Sequence, residues 1–235
     1  MEIPIIYEDE SLIVVDKPVN RLVHHSYYAR NIREKSLVQF LEESHGQPLF
    51  AIHRLDRKTS GLLLLAKKKE QVAPFQALFT GQKVRKSYLG IVRGFVEETL
   101  VIDSPVKHPE TGLYKTAKTS CTPIKTAVLN IPVGPYKTAR YSLVRLLPAT
   151  GRTHQLRIHM NKISHPLLGD AKYGDRFHNR MLMAKFGLDS LFLHAAQLDF
   201  IHPLNGQALN LQAPLPAHWQ QLVKIMGWEA ALVVP

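Results

Sequence analysis

The sequence predicts an α+β fold. Several short stretches are apolar or alternate at strand length, and a few repeat apolar residues at helical spacing. The two kinds follow one another without the strict alternation of a parallel α/β chain. No segment is repeated and no Pro/Ser/Gly-rich linker divides the 235 residues, so one domain over 1–235 is expected.

The elements follow in order. "IPIIY", "EDES" and "LIVVDKP" read as strand, turn and strand, closed by Pro18 and Asn20. "YYARNIREKSLVQFLEESHG" places Ile32, Leu37, Val38 and Leu41 near helical spacing and ends at Gly46, a helix with a glycine C-cap. "LLLLA", bounded by Gly61 and "KKKE", reads as a buried strand. "EQVAPFQALFTGQ" reads as a helix terminated by Gly81, and "VRKSYLGIVRGFV" and "ARYSLVRLLP" read as strands. In "GRTHQLRIHMNKIS", Gly151 ends a loop and Thr153 is placed to cap a helix carrying Leu156, Ile158 and Met160. "HAAQLDFIHPLNGQALNLQAP" is a hairpin turning at Asn205-Gly206, and "AHWQQLVKIMGW" is a terminal helix. Val96 to Pro135 carries no pattern that assigns elements.

Composition narrows the function. Lys and Arg total 30 against 19 Asp and Glu, a net charge of +11, which favours a polyanionic partner. The single cysteine, Cys121, excludes a disulfide within the chain and a cysteine zinc site, and suits the reducing cytoplasm. "MEIPIIYEDE" lacks the basic start and apolar run of a signal peptide. No apolar run approaches the roughly 20 residues of a membrane span.

The chemistry gathers around "HRLDRKTSG". Asp56 lies between Arg54 and Arg57, and positive neighbours favour the carboxylate over the acid. A fixed carboxylate at the edge of a rigid strand suits a nucleophile or base. A surface ion-pair cluster of little energetic value reads equally well from the local residues. "TGRTHQLRIH" adds Arg152, His154, Arg157 and His159, which could hold phosphate through side chains and free helix N–H groups. Zinc is disfavoured there, because the histidines stand five apart with no acidic residue between them. His24, His25, His165 and His194 read as structural, and Lys67 to Lys69 as a solvated run near phosphate. No glycine-rich phosphate loop or nucleophile elbow is present.

The motifs carry a resemblance. "HRLDRKTSGLLLLAK", "KSYLGIVRG", "TGRTHQLRIHM", "HPLLGDAKYG", "DKPVNRLVHH" and the tail "LHAAQLDFIHP…APLP" resemble the RluA family of pseudouridine synthases over nearly the whole chain. The resemblance implies a mixed, mainly antiparallel sheet in two subdomains flanked by helices, with a basic catalytic cleft. It implies a catalytic aspartate at Asp56, an aromatic residue at Tyr88 that stacks on the base, and Arg157 pairing with Asp56. It further implies that Arg54 enters the gap left by a flipped uridine and that Leu156 lines the base pocket. Arg57, Arg152 and His154 complete the expected RNA-binding set. No cofactor or metal is expected, since the reaction involves no redox step or hydrolysis. Val19-Asn20 stands where the family usually has Ser-Gly, which should alter a turn and leave activity intact. On this resemblance the chain is expected to start directly on the catalytic core, without the S4-type RNA-binding domain of many rRNA-directed members, and to grip RNA with the core alone. Its compact length and "GDRFHNRMLMAKFG" look most like the tRNA pseudouridine synthase C subgroup, which implies tRNA as partner and uridine 65 of the T stem as target; no obligate protein partner is evident from the sequence, and a monomer is expected. Large-subunit rRNA, another tRNA position and a non-catalytic RNA-binding protein are the alternatives; a metal-dependent nuclease lacks the clustered carboxylates it would need.

Overall fold

The computed structural model describes residues 2–25 and 34–229. The described residues within 1–86 and 195–214 form one compact unit, and those within 87–194 and 215–235 form another.

In the first unit, β1 (Ile5–Glu8) and β2 (Leu12–Lys17) pair antiparallel, as the strand–turn–strand pattern requires. β2 pairs β4 (Ser60–Ala66), and the short β3 (Phe50–Ala51) also lies on β4. β4 neighbours β11 (Leu193–Ile201), which turns back into β12 (Ala208–Gln212). Every residue of β4 is buried, which is why its sequence is a continuous apolar run. Leu12, Val14, Leu62, Leu64, Leu198, Phe200, Leu209 and Leu211 form a core with Phe75 of helix α2 (Val72–Thr80). Gly61 is required by close approach: its φ is +108°, and a Cβ there would run into the Ala195 backbone.

Helix α1 (Leu37–His45) starts at Ser36, whose hydroxyl accepts from Gln39 N while Gln39 Oε1 accepts from Ser36 N. This capping box fixes the start, and Gly46 ends the helix in the left-handed region, as expected. Ile32, assigned to that helix from sequence, lies outside the described residues. Gly81 follows α2, but its φ is ordinary at −78°, and Gln82 takes the left-handed turn instead. The Val19-Asn20 departure is absorbed: Asn20 adopts φ +62°, a conformation asparagine tolerates better than most side chains.

In the second unit the strand order is β5 (Arg85–Arg93), β10 (Ala139–Pro148), β9 (Lys118–Leu129) and β6 (Leu100–Asp103), with β5–β10, β10–β9 and β6–β9 all antiparallel. β5 begins, and β11 ends, within the first unit. The unpatterned stretch thus holds β6, β9 and a small hairpin of β7 (Val106–Lys107) with β8 (Tyr114–Lys115). β9 is legible poorly because it mixes buried and exposed residues without strict alternation. Helices α3 (Gln155–Lys162), α4 (Arg176–Phe186) and α5 (Ala217–Ile225) complete the unit. The α+β expectation, with a mainly antiparallel sheet, is met.

Candidate active site

The HRLDR segment runs from β3 into β4. His53 stacks on Phe79 at 4.7 Å, and its Nε2 accepts from Leu64 N at 3.1 Å. Burial, with Lys86 nearby, pushes this imidazole down to about 4, so it is the neutral acceptor that bond requires. Asp56 opens a tight turn closed by Thr59 N donating to the Asp56 carbonyl at 3.0 Å, a position aspartate favours. Asp56 is half-buried, and Arg54 and Arg57 on either side are exposed.

Beneath this turn lies Lys17, fully buried. Its Nζ donates to the carbonyls of Pro18 (2.8 Å), Arg21 (3.0 Å) and Arg57 (3.1 Å). Three donors meeting three acceptors use the full capacity of an ammonium. Burial pushes Lys17 down to about 7, against the upward pull of Asp56 and Asp16 and with a downward push from Arg57. Asp16, one residue earlier, is raised by burial to about 6, and its buried Oδ1 has no hydrogen-bond partner among the described residues. Arg57 Nε donates to the Asn20 carbonyl at 3.1 Å, and Nη2 lies 3.6 Å from Glu34. The turn around Asn20 and the turn around Asp56 are therefore laced together by Lys17 and Arg57. This lacing gives Arg57 a structural task that its sequence position did not announce.

The second unit carries Tyr88, Arg152, His154, Leu156 and Arg157. Tyr88 on β5 packs against a cluster that contains Leu156 and Met160 of α3, with Val92, Leu146, Leu167 and Leu193. The structure thus brings Tyr88 and Leu156 to one apolar surface. Arg157 is buried, and its Nε and Nη2 donate to Asp170 Oδ2 and Oδ1 at 2.7 and 2.8 Å. Asp170 also accepts from the N–H groups of Lys172 and Tyr173. Burial works to raise the Asp170 pKa; the Arg157 hydrogen bond and charge, with those two N–H donors, outweigh it and hold the carboxyl below its usual range. The Tyr173 ring lies 5.2 Å from the Arg157 guanidinium, and its hydroxyl meets His154 Nδ1 at 3.1 Å.

Two expectations need correction here. Thr153 does not cap α3: the N-cap is His154, left-handed at φ +56° and without a side-chain cap bond. Gln155 ties the entry instead, accepting from Thr150 Oγ1 (2.7 Å) and Arg152 N (3.0 Å) and donating to Lys118 O and Thr119 Oγ1. A glutamine facing inward outcompetes the threonine because it reaches the preceding loop and strand β9 at once. Nor do the four basic residues of this segment form one phosphate cluster. His159 is buried with Nε2 against Ser104 O (2.8 Å) and Nδ1 against Thr119 Oγ1 (2.9 Å), and Arg157 is held by Asp170. Arg152 alone of the four is exposed, its Nε donating to Thr116 O.

The remaining basic residues divide. His24 and His25 are exposed, His194 is buried, and His165 Nδ1 meets Arg93 O at 3.0 Å. Lys67 pairs with Glu8 at 2.7 Å, while Lys68 and Lys69 are exposed. Lys17, Asp170 and Tyr173 were missed from sequence. All three lie inside recognised motifs, "DKPVN" and "GDAKYG", but a buried lysine or a buried ion-pair partner has no local spacing to mark it.

The family model for RNA pseudouridylate synthase matches residues 11–162, a span that contains Asp56, Tyr88 and Arg157. The chain belongs to the RNA pseudouridylate synthase family. Members of that family are isomerases, converting uridine to pseudouridine within RNA. A relative from Haemophilus influenzae, "tRNA pseudouridine synthase C", is 41% identical over 235 residues, covering 96% of this chain and 98% of its own. A protein of the same name from Vibrio cholerae is 37% identical, covering 98% of each. Among solved structures, the human RNA pseudouridylate synthase domain containing 4 matches with a TM-score of 0.72 at 26% identity, over 95% of this chain and 93% of its own. The human domain containing 1 protein matches in fold, with a TM-score of 0.70 at 23% identity, over 100% and 96%. Among the described residues, no helix of this pseudouridylate synthase is long and apolar enough to cross a membrane.

Proposed function

We propose that the chain isomerises uridine to pseudouridine in tRNA, at position 65 on the 3′ side of the T stem. The observation that carries this reading is near-full-length identity of about two-fifths to relatives named tRNA pseudouridine synthase C. The reaction exchanges the ribose–nitrogen bond of uracil for a ribose–carbon bond; the ring carbon loses its proton and the freed nitrogen gains one. A base paired in a stem must leave the helix for this, at a cost of a few kcal/mol. A net charge of +11 offsets that cost through phosphate contacts.

In this reading Asp56 acts on the ribose or the base, and the tight turn and buried Lys17 beneath it hold the carboxylate still. The resemblance assigns Arg157 the task of keeping that carboxylate ionised. Tyr88 stacks on the flipped uracil, an interaction of roughly 1–3 kcal/mol per base, and helps remove the ring proton. Leu156 lines the base pocket, and Arg54 fills the gap in the helix. Arg57, Arg152 and His154 contact RNA. The enzyme works as a monomeric single catalytic domain in the cytoplasm.

The test is tritium release from tRNA labelled at uracil carbon 5. Wild type should release tritium in proportion to pseudouridine formed, while Asp56→Asn should bind tRNA with wild-type affinity and release none. Full release by that variant would remove Asp56 from the chemistry. Mapping pseudouridines in tRNA and rRNA from cells with and without the gene decides the target; loss at an rRNA site with position 65 intact would overturn the tRNA assignment.

A further inference from the structure

We infer that the outer face of α4 is a second RNA-docking surface, gripping the substrate's backbone away from the target nucleotide. This rests on the reading that the chain modifies RNA. Asp175 caps the helix, accepting from Phe177 N (2.8 Å) and His178 N (3.3 Å), and pairs with Arg93 at 2.6 Å. The inner face is fixed by buried His178, Met181 and Leu182, with Tyr141 Oη 2.8 Å from His178 Nδ1. Asn179 accepts from Gly169 N (2.9 Å) and donates to the Asp170 carbonyl (3.0 Å). Asp170 is the partner of Arg157, so α4 is bolted to the loop that holds one of the site residues.

The outer face carries no comparable hydrogen bonds or ion pairs among the described residues, only the ring contacts of Arg176 with Phe177 and of Lys172 with Tyr173. Arg176, Phe177, Arg180, Met183 and Lys185 are exposed, as is Lys172 in the preceding loop. Phe177 is 48% exposed, and the Arg176 guanidinium lies 4.9 Å from its ring centre. Residues 171–187 contain one carboxylate, Asp175, already committed to the cap and to Arg93. Among the described residues Lys172, Arg176, Arg180 and Lys185 form no ion pair, and four such cations fit a polyanion. Lys172, Arg176 and Arg180 recur every four residues, and within the helix Arg176 and Arg180 stand one turn apart, a rise of about 6 Å. Arginine suits phosphate through its planar fork, and an exposed ring beside it offers a stacking face for a base or ribose. A protein-binding helix would instead present a continuous apolar stripe at three- and four-residue spacing; here Arg180 interrupts Phe177 and Met183. Tyr173, two residues before the cap, touches His154 and Arg157, so RNA held along α4 is continuous with that group.

The test uses the full chain and an unmodified tRNA transcript. Arg176→Ala/Arg180→Ala should raise Kd about tenfold or more and lower the slope of log K against log salt by about 1–2, as loss of two phosphate contacts requires. Phe177→Ala should raise Kd without changing the slope. Single-turnover tritium release at saturating enzyme should stay within about twofold of wild type, because these residues lie outside the chemistry. Both residues are exposed, so folding should survive, and circular dichroism with a thermal melt verifies it. Wild-type Kd and slope in a folded double variant would overturn the inference. A wild-type enzyme that binds tRNA but releases no tritium would instead overturn the function proposed above, leaving the binding comparison to judge α4 separately.

Discussion

Arg157 and Asp170 form a two-pronged ion pair, 2.7 and 2.8 Å long, with side chains 9% and 1% exposed. The pair fastens α3 to the loop that leads into α4. Removing one partner of a buried pair strands the other charge, at a cost of about 3–5 kcal/mol. Asp170→Asn should therefore lower the unfolding free energy in urea by about that much and reduce turnover. The Asp170 carboxyl is held below its unfolded value, so its contribution is present above the unfolded pKa and lost as pH falls through the folded one. The gap between wild type and variant should close as pH falls from about 4; a gap independent of pH down to acid denaturation would contradict the assignment.

Lys17 tests the lacing beneath Asp56. Lys17→Met leaves three carbonyls without their donor, and stability should fall by about 3 kcal/mol, with turnover falling further than tRNA affinity. The folded pKa of about 7 lies below the unfolded value near 10.4. Between those values the unfolded chain holds more protons, so wild-type stability should rise with pH through that window. The variant should lose the rise; urea midpoints measured from pH 6 to pH 10 check it.

Asn20 isolates the cost of a left-handed residue. Asn20→Gly should leave stability within about 0.5 kcal/mol, whereas Asn20→Val should lose about 1–2 kcal/mol. Thermal melts of the three proteins decide it, and a fully stable valine variant would mean the turn has rearranged.

Arg54 is exposed beside the half-buried aspartate. Arg54→Ala should slow single-turnover pseudouridine formation about tenfold or more, equivalent to about 1.4 kcal/mol or more, with a smaller change in tRNA Kd. Unchanged single-turnover rates at saturating enzyme would remove Arg54 from base flipping.

The local pattern made much of the fold legible. The run Leu62 to Leu65 announced a buried strand because every position of β4 is covered, and Gly46 announced the end of α1 because few other residues adopt its φ. The stretch around β9 stayed unreadable because its residues alternate irregularly between covered and open positions. At the site, Asp56, Tyr88, Leu156 and Arg157 stood inside motifs long enough to recognise, and the family model spans them all.

What the sequence determined by itself was the inventory: the strands and helices with clean periodicity, the family motifs, and the excess of cations. What only the tertiary structure decided was which polar groups are paired. Thr153 yields the α3 entry to Gln155, His159 turns inward to Ser104 and Thr119, Arg157 takes Asp170, and Lys17 is buried under three carbonyls. The reason is physical: periodicity reports which face of an element avoids water, whereas a buried hydrogen bond depends on partners many residues away that no local window contains.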